Sequence, residues 1–289
     1  MPTFDTPEPI SVTVEIGVGE VRIVASERAD TVVDVRASNS SKRSDVKAAE
    51  ETRVEYAVGR LLIKAPKSWR SFSPFGGSGS VDIEIDLPAG SQLRGDAAVA
   101  TFHCTGRLGE CRLKTAAGNV NVGETGPVKV KTSAGDITLE RAVGETEVST
   151  SSGAVRIEHV DGPAVVKNSN GDTWIGDITG ELRVNAANGK IVVEHAHASV
   201  IAKTANGDVR LSDVTGGAVV AHTAAGKVEV GIHEGVAAWL DLSTSFGNVR
   251  SDLDASDRPV EGEDSVEVRA RTAFGDITIR RAPAAPTAA

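Results

Sequence analysis

In much of this chain a cationic or small polar residue stands four positions before a recurring glycine. The glycines are Gly118, Gly135, Gly153, Gly171, Gly189, Gly207, Gly226, Gly247 and Gly275, and the residues before them are Lys114, Lys131, Ser149, Lys167, Asn185, Lys203, His222, Ser243 and Arg271. Two positions earlier come Arg112, Lys129, Arg183 and Arg269. If successive copies stack, these side chains form one edge, and like charges stacked at strand spacing repel and weaken the ladder. A chain of formal net charge −9 that keeps such an edge is equipped to meet a polyanion: an acidic polysaccharide, lipid headgroups or the acidic face of a protein partner. The same edge also works as a solvated face that resists aggregation. Lys114, Lys131, Lys167, Lys203, His222 and Arg271 are the candidate binding residues.

Other chemistry-bearing residues are sparser. Asn119, Asp136, Asp172, Asp208, Asn248 and Asp276 each follow a repeat glycine. Such a row could ligate calcium, but the Gly-Gly-x-Gly-x-Asp nonapeptide is absent and Ala154, Lys190 and Lys227 interrupt it. A corner in which Asp and Asn bond to nearby backbone is the simpler reading. His195 and His197 stand two apart and form a minimal metal pair without an identifiable third ligand, while His103, His159 and His233 are scattered. No nucleophile elbow, phosphate loop or His-Glu-x-x-His pattern occurs. Some β-helices are polysaccharide lyases with acidic residues and Arg on one face, but they carry long loops, and the corners between 118 and 230 are tight. No catalytic residue, metal or cofactor is expected, and the chain does not read as an enzyme.

The glycines that organise these residues are spaced 17, 18, 18, 18, 18, 19, 21 and 28 apart, and the units around them read Thr-Ala-Ala-Gly-Asn-Val (115–120), Thr-Ser-Ala-Gly-Asp-Ile (132–137) and Thr-Ala-Asn-Gly-Asp-Val (204–209). A fixed short period is the signature of a solenoid. Two and four residues after the glycine come Val120 and Val122, Ile137 and Leu139, Val155 and Ile157, Ile191 and Val193, Val209 and Leu211, Val228 and Val230, and Ile277 and Ile279. This is strand alternation. Seven and five residues before it, Val128 and Val130, Leu182 and Val184, and Leu240 and Leu242 mark a second strand. Thr stands three before the glycine in seven of nine coils, where its hydroxyl can bond the corner backbone. Gly162, Gly180 and Gly216 mark a second corner. Each coil is two short strands and two tight corners, stacked in parallel at about 4.8 Å.

The fold class is therefore all-β, a single-stranded parallel β-helix or β-solenoid, with a less regular strand-rich N-terminal region. Residues 1–100 form that region, continuous with the solenoid as first coils or cap, and Gly19-Glu20-Val21-Arg22-Ile23 already follows the motif. Residues 101–281 are a solenoid of about nine coils, and 282–289 a disordered tail. A short helix fits 38–51, a Ser/Gly-rich loop with Trp69, Phe72 and Phe75 fits 68–80, and an acidic insertion fits 252–264. Phe246 and Phe274 are placed to stack near Trp239 as an end cap. Val165, Ile201 and Val220 point outward, as does Trp174 beside Arg156 and Arg210; this fits an interface and equally a cover by the N-terminal strands or the 68–80 loop.

Bulk properties agree. Hydrophobic residues make up 40% of the chain but aromatic residues only 3%, and there are 30 glycines, a composition for short aliphatic strands and turns. The negative charge argues against nucleic acid. No apolar run reaches membrane-spanning length and no signal peptide is visible, so a cytoplasmic location is expected. Cys104 and Cys111 are the only cysteines; one disulfide or two free thiols both fit, and a reducing compartment favours free thiols.

The segment Val81-Asp-Ile-Glu-Ile-Asp-Leu-Pro-Ala-Gly-Ser-Gln-Leu93, followed by serial Thr-small-x-Gly-Asp-Val/Ile coils, resembles the bacterial putative adhesin family with β-strand repeats, a domain of unknown function. The opening Thr-Pro-Glu-Pro-Ile-Ser-Val-x-Val with Gly19–Ile23 is similar to the family's start, and the resemblance spans roughly 10–281. It implies a right-handed single-stranded β-helix and no catalytic residues. The function expected is an interaction or scaffold protein. The alternatives are an extracellular carbohydrate- or polyanion-binding adhesin module and a self-assembling, cytoskeletal-type scaffold.

Overall fold

The computed structural model describes residues 1–66, 79–253 and 265–282. Most of the 68–80 loop, the 252–264 insertion and the 282–289 tail lie outside the described residues. The chain forms two compact units, Met1–Val143 with Val148–Thr150, and Gly144–Glu147 with Ser151–Ala289. Each is a parallel β-solenoid, and each is described in turn.

In the second unit the 18-residue period becomes a register. Val155 pairs with Thr173, Thr173 with Ile191, Ile191 with Val209, Val209 with Val228, and Val228 with Ile277, all in parallel strands. The strands before the glycines form a second ladder, with Leu182 opposite Ala164 and Val200. Alternation sends one face of every strand inward. Val155, Ile157, Ile175, Ile191, Val193, Val209, Leu211, Val228 and Val230 are at most 1% exposed. Burying each such side chain is worth roughly 1.5–3 kcal/mol.

The corner explains the glycine. Gly171, Gly189, Gly207 and Gly226 have φ between +133° and +150°, where an L side chain is strained. A Cβ on any of them would lie 2.1–2.2 Å from the preceding glycine's carbonyl oxygen. The same corner is stitched to the next coil: the amides of Gly171, Gly189 and Gly207 donate to Asn188, Asn206 and Ala225 at 2.9–3.0 Å. The threonine ladder completes it from inside. Thr204, Thr223 and Thr272 donate their hydroxyls to the carbonyls of Gly189, Gly207 and Gly226 at 3.4, 2.8 and 3.0 Å. Asn168, which stands where Thr is usual, donates from Nδ2 to Gly153 at 3.1 Å. It is larger than Thr, and its register partner is the small Ala186.

The last coils of this unit are not stacked in chain order. The strand Ser265–Phe274 pairs on one side with Gly217–Ala225 and on the other with Ala237–Phe246. Likewise Ile277–Arg281 lies between Val228–Ile232 and Val249–Ser251. The later segment is therefore the inner one. Its inward Val266, Val268, Ala270, Ile277 and Ile279 are at most 1% exposed. The outer coil carries Ser251 opposite Ile279, and its Val249 is 47% exposed. The more apolar segment takes the position covered on both sides.

In the first unit the strand Ser11–Ser26 is itself a regular coil. It pairs in parallel with Gln92–Leu108 on one side and with Arg60–Lys64 and Ser80–Pro88 on the other. Gly19 in its motif sits with φ +154° against the carbonyl of Val81, and Gly118 and Gly135 repeat the corner against Ala100 and Gly118. Beyond Ser80–Pro88 and Arg60–Lys64 the pairing turns antiparallel, through Asp30–Ala37, Thr3–Asp5 and Arg53–Ala57. The helix falls within the polar 38–51 stretch, at Arg43–Glu50. Its buried Asp45 accepts from the Ser80 amide at 3.2 Å and pairs with Lys42 Nζ at 3.2 Å. Phe4 and Tyr56 pack 5.0 Å apart on the antiparallel strands. Arg28 binds Asp30 and Asp86, both at 3.0 Å, and hydrogen bonding to Arg28 holds the Asp30 carboxyl below its ordinary range.

The corner geometry gives a test. Gly189→Ala should cost at least about 3 kcal/mol, since it adds a strained φ to a backbone clash. Gly216→Ala, where the nearest atom to a Cβ is 3.9 Å away, should stay within about 1 kcal/mol. Urea unfolding of both variants measures the difference.

Candidate functional site

The register lines up the outward residues as it does the core. In the second unit Lys167 is opposite Asn185, Asn185 opposite Lys203, Lys203 opposite His222, His222 opposite Arg271, and Arg271 opposite Ser243. All six are exposed. In the first unit Lys131 is opposite Lys114, and Lys114 opposite Asp96. Each unit thus brings its own share of the six candidates together. Asn185 places Lys167 and Lys203 two strand spacings apart, about 9.6 Å, which is beyond the roughly 8 Å screening length at physiological salt. Arg271 is held by Asp241 at 3.3 Å. Arg112 and Arg269 are held by Glu110 and Glu267 at 2.5 and 2.6 Å.

The neighbouring row of the second unit contains Val165, Arg183, Ile201 and Val220 in register. The three aliphatic residues are half-buried, Arg183 is exposed, and towards the corner stand the small Ala187, Ala205 and Ala224. Lysine and arginine heads thus flank a row of half-buried aliphatic residues. Trp174 belongs to the other ladder. Its ring is covered by the Arg156 guanidinium at 3.9 Å, and its Nε1 donates to Glu194 at 3.2 Å. Burial pushes the Glu194 carboxyl up, but hydrogen bonds, including that from Trp174, and the charge of Arg210 leave it below its ordinary range. Neighbours within the repeat cover this indole.

The Asp and Asn that follow the glycines are corner groups. Asn119 accepts from the Asp136 amide, Asp172 from Lys190, Asp208 from Lys227, and Asp276 from Asn248, at 2.8–2.9 Å. Each carboxylate or amide oxygen ties its corner to the one stacked on it. On the other side of the glycine, Asn206 donates to Asn188 at 2.9 Å and Asn188 to Asn170 at 2.8 Å. The ladder ends in Phe246 and Phe274, stacked with ring centroids 5.1 Å apart and planes 4° off parallel.

The histidines form a chain that spacing within one strand does not reveal. His195 and His197 do not converge on one point. His195 faces Asp213 at 3.5 Å, and His197 faces Asp177 at 3.2 Å. The scattered His159 and His233 join them. His159 lies between Asp161 at 2.8 Å and Asp177 at 3.4 Å, and His233 meets Asp213 at 3.0 Å. The signal in the sequence is the coil period: His159, Asp177, His195 and Asp213 follow one another at 18 residues and pair in register. Each aspartate lies between histidines of neighbouring coils. Among the described residues no group of three His, Cys, Asp or Glu is arranged to hold a metal ion. Cys104 and Cys111 are free and buried. Burial pushes the Cys111 thiol up to about 12 and that of Cys104 well above its ordinary value. No helix of the described residues is long and apolar enough to cross a membrane.

A β-solenoid whose coils turn on a glycine corner and whose outward columns are ladders of like position is a repeat-built surface. The chain belongs to the Toastrack DUF4097 family, whose model matches residues 9–280. Among solved structures it is similar to a putative adhesin from Parabacteroides distasonis at 13% identity and a TM-score of 0.43, covering 97% of this chain and 95% of that one. It is similar to a putative adhesin from Bacteroides fragilis at 14% identity and 0.40, covering 97% and 96%. It is also similar to a putative lipid binding protein from P. distasonis at 12% identity and 0.37, covering 98% and 96%. No curated protein matches.

Two outcomes follow. The native protein should leave both thiols unmodified by DTNB at neutral pH, with two thiols appearing in denaturant, because the reactive thiolate is suppressed. Asp213→Ala, which removes the partner of the half-exposed His195 and His233, should lower the stability by no more than about 1 kcal/mol in chemical unfolding.

Proposed function

We propose that this chain is a non-catalytic interaction protein that binds an acidic protein partner on the basic column of its second unit. The observation that carries the reading is the exposed column Lys167–Asn185–Lys203–His222–Arg271 beside half-buried Val165, Ile201 and Val220. Cations with adjacent aliphatic surface suit a protein partner, where steering charges flank an apolar contact. Lys114 and Lys131 form a smaller basic site on the first unit. A cytoplasmic location belongs to the same reading.

The test is affinity capture from the native cell with the wild-type chain and with Lys167→Glu/Lys203→Glu. The wild type should recover a protein partner in a salt-sensitive way. The double variant should bind it at least about tenfold more weakly, the equivalent of roughly 1.4 kcal/mol. Equal recovery by both would reduce the column to a solvated face. Recovery of polysaccharide or lipid in place of protein would favour the adhesin-like alternative.

A further inference from the structure

The outermost coil of the second unit differs from every coil beneath it. Elsewhere in that unit the amides seven and three residues before the glycine donate to the adjoining coil: Ala164 to Glu181, Leu182 to Ser199, and Thr204 to His222, each at 2.9 Å. The equivalent amides of the outermost coil are those of Leu240 and Thr244. Among the described residues Ala237–Phe246 pairs only with Ser265–Phe274, and Val249–Ser251 only with Ile277–Arg281. Leu240 and Leu242 are half-exposed at positions that are buried in the inner coils. Trp239, Phe246 and Val249 are 65, 67 and 47% exposed.

Proteins normally blunt such an edge with Lys, Pro, a bulge or a short strand. The first unit does so, since its antiparallel edge strand Thr3–Asp5 has three residues and the helix Arg43–Glu50 adjoins Ser80. The ten-residue strand Ala-Ala-Trp-Leu-Asp-Leu-Ser-Thr-Ser-Phe has no Lys, Arg or Pro. Its one ionisable group, Asp241, is already held by Arg271. The strand itself therefore carries no uncompensated charge to repel a second copy.

We propose that this edge is a self-association site at which a second copy of the chain pairs its own Ala237–Phe246 strand, antiparallel, about a two-fold axis at Leu242. Directly opposite residues of an antiparallel pair point to the same face. This register therefore sets Leu242 against its counterpart and Leu240 against the partner's Thr244, so the inward side chains of the two coils continue one core. On the outer face it sets Ser243 opposite the partner's Asp241. The contact is isologous and closes as a dimer. A filament would need a second open edge, and the first unit's edge strands are short and antiparallel.

Sedimentation velocity of the full chain, read against concentration, tests the proposal. The wild type should move from monomer to dimer and grow no further. Ser243→Glu places a carboxylate beside Arg271 within its own chain but opposite the partner's Asp241. It should raise the dimer dissociation constant at least about tenfold, whereas Ser243→Lys should not. The proposal fails if the wild type stays monomeric up to about 100 µM, if assemblies grow beyond the dimer, or if Ser243→Glu dimerises like the wild type. Should Ser243→Glu not fold, hydrogen exchange of the wild type decides. Protection of the Leu240, Leu242 and Thr244 amides should rise with concentration, and protection independent of concentration overturns the dimer. Lys167→Glu/Lys203→Glu should leave dimerisation unchanged, so this proposal and the basic-face reading fail separately.

Discussion

The second unit depends on one corner. At Gly171, Gly189, Gly207 and Gly226 the backbone passes within contact of the preceding corner and donates its amide to the next coil, and the carbonyls of Gly189, Gly207 and Gly226 are reached by the inward Thr of the coil stacked on them. No side chain fits there, so the period is fixed by sterics before it is fixed by hydrophobicity. Once these corners superpose, strand register follows, because a one-residue slip would send every Val and Ile outward. The outward columns inherit that register. The basic column, the asparagine ladder and the His–Asp chain are all products of corners that allow only one alignment.

That dependence explains which features could be read from the amino-acid sequence. The coil, its two strands, its inward aliphatic residues and the threonine hydroxyls are local consequences of a pattern visible around each glycine. The candidate lysines were legible for the same reason, since their offset from the glycine is constant. The corner role of Asp172 and Asp208 was legible because Asp in a turn has few other uses for its oxygen atoms. The histidine chain was not, because its partners are a full coil away and only the alternation of His159, Asp177, His195 and Asp213 at the coil period gives it away. The crossing of the last coils was also hidden. Nothing local to Gly247 or Gly275 says which lies deeper, and the choice rests on comparing whole segments, one carrying Ile279 and the other Ser251 at the same inward position.

Polar ladders limit what the outer surface can do. Alternating Asp and Lys after the glycines, and alternating His and Asp six residues after them, cancel the like-charge repulsion that identical repeats would accumulate. The column containing Lys167 and Lys203 escapes this alternation and is only diluted by Asn185.

The crossing at the end of the second unit has a consequence for how the chain is made. Synthesis proceeds from the N-terminus, and a solenoid can in principle add each coil as it emerges, every new layer templated by the one before. Residues 237–251 break that sequence. The layer they rest on is built from 265–281, which leaves the ribosome afterwards. Their natural template while they wait is the exposed edge at 217–232, the place reserved for the later segment. Completion of this end is thus a replacement rather than an addition, and its final step has to await the emergence of residues 265–281.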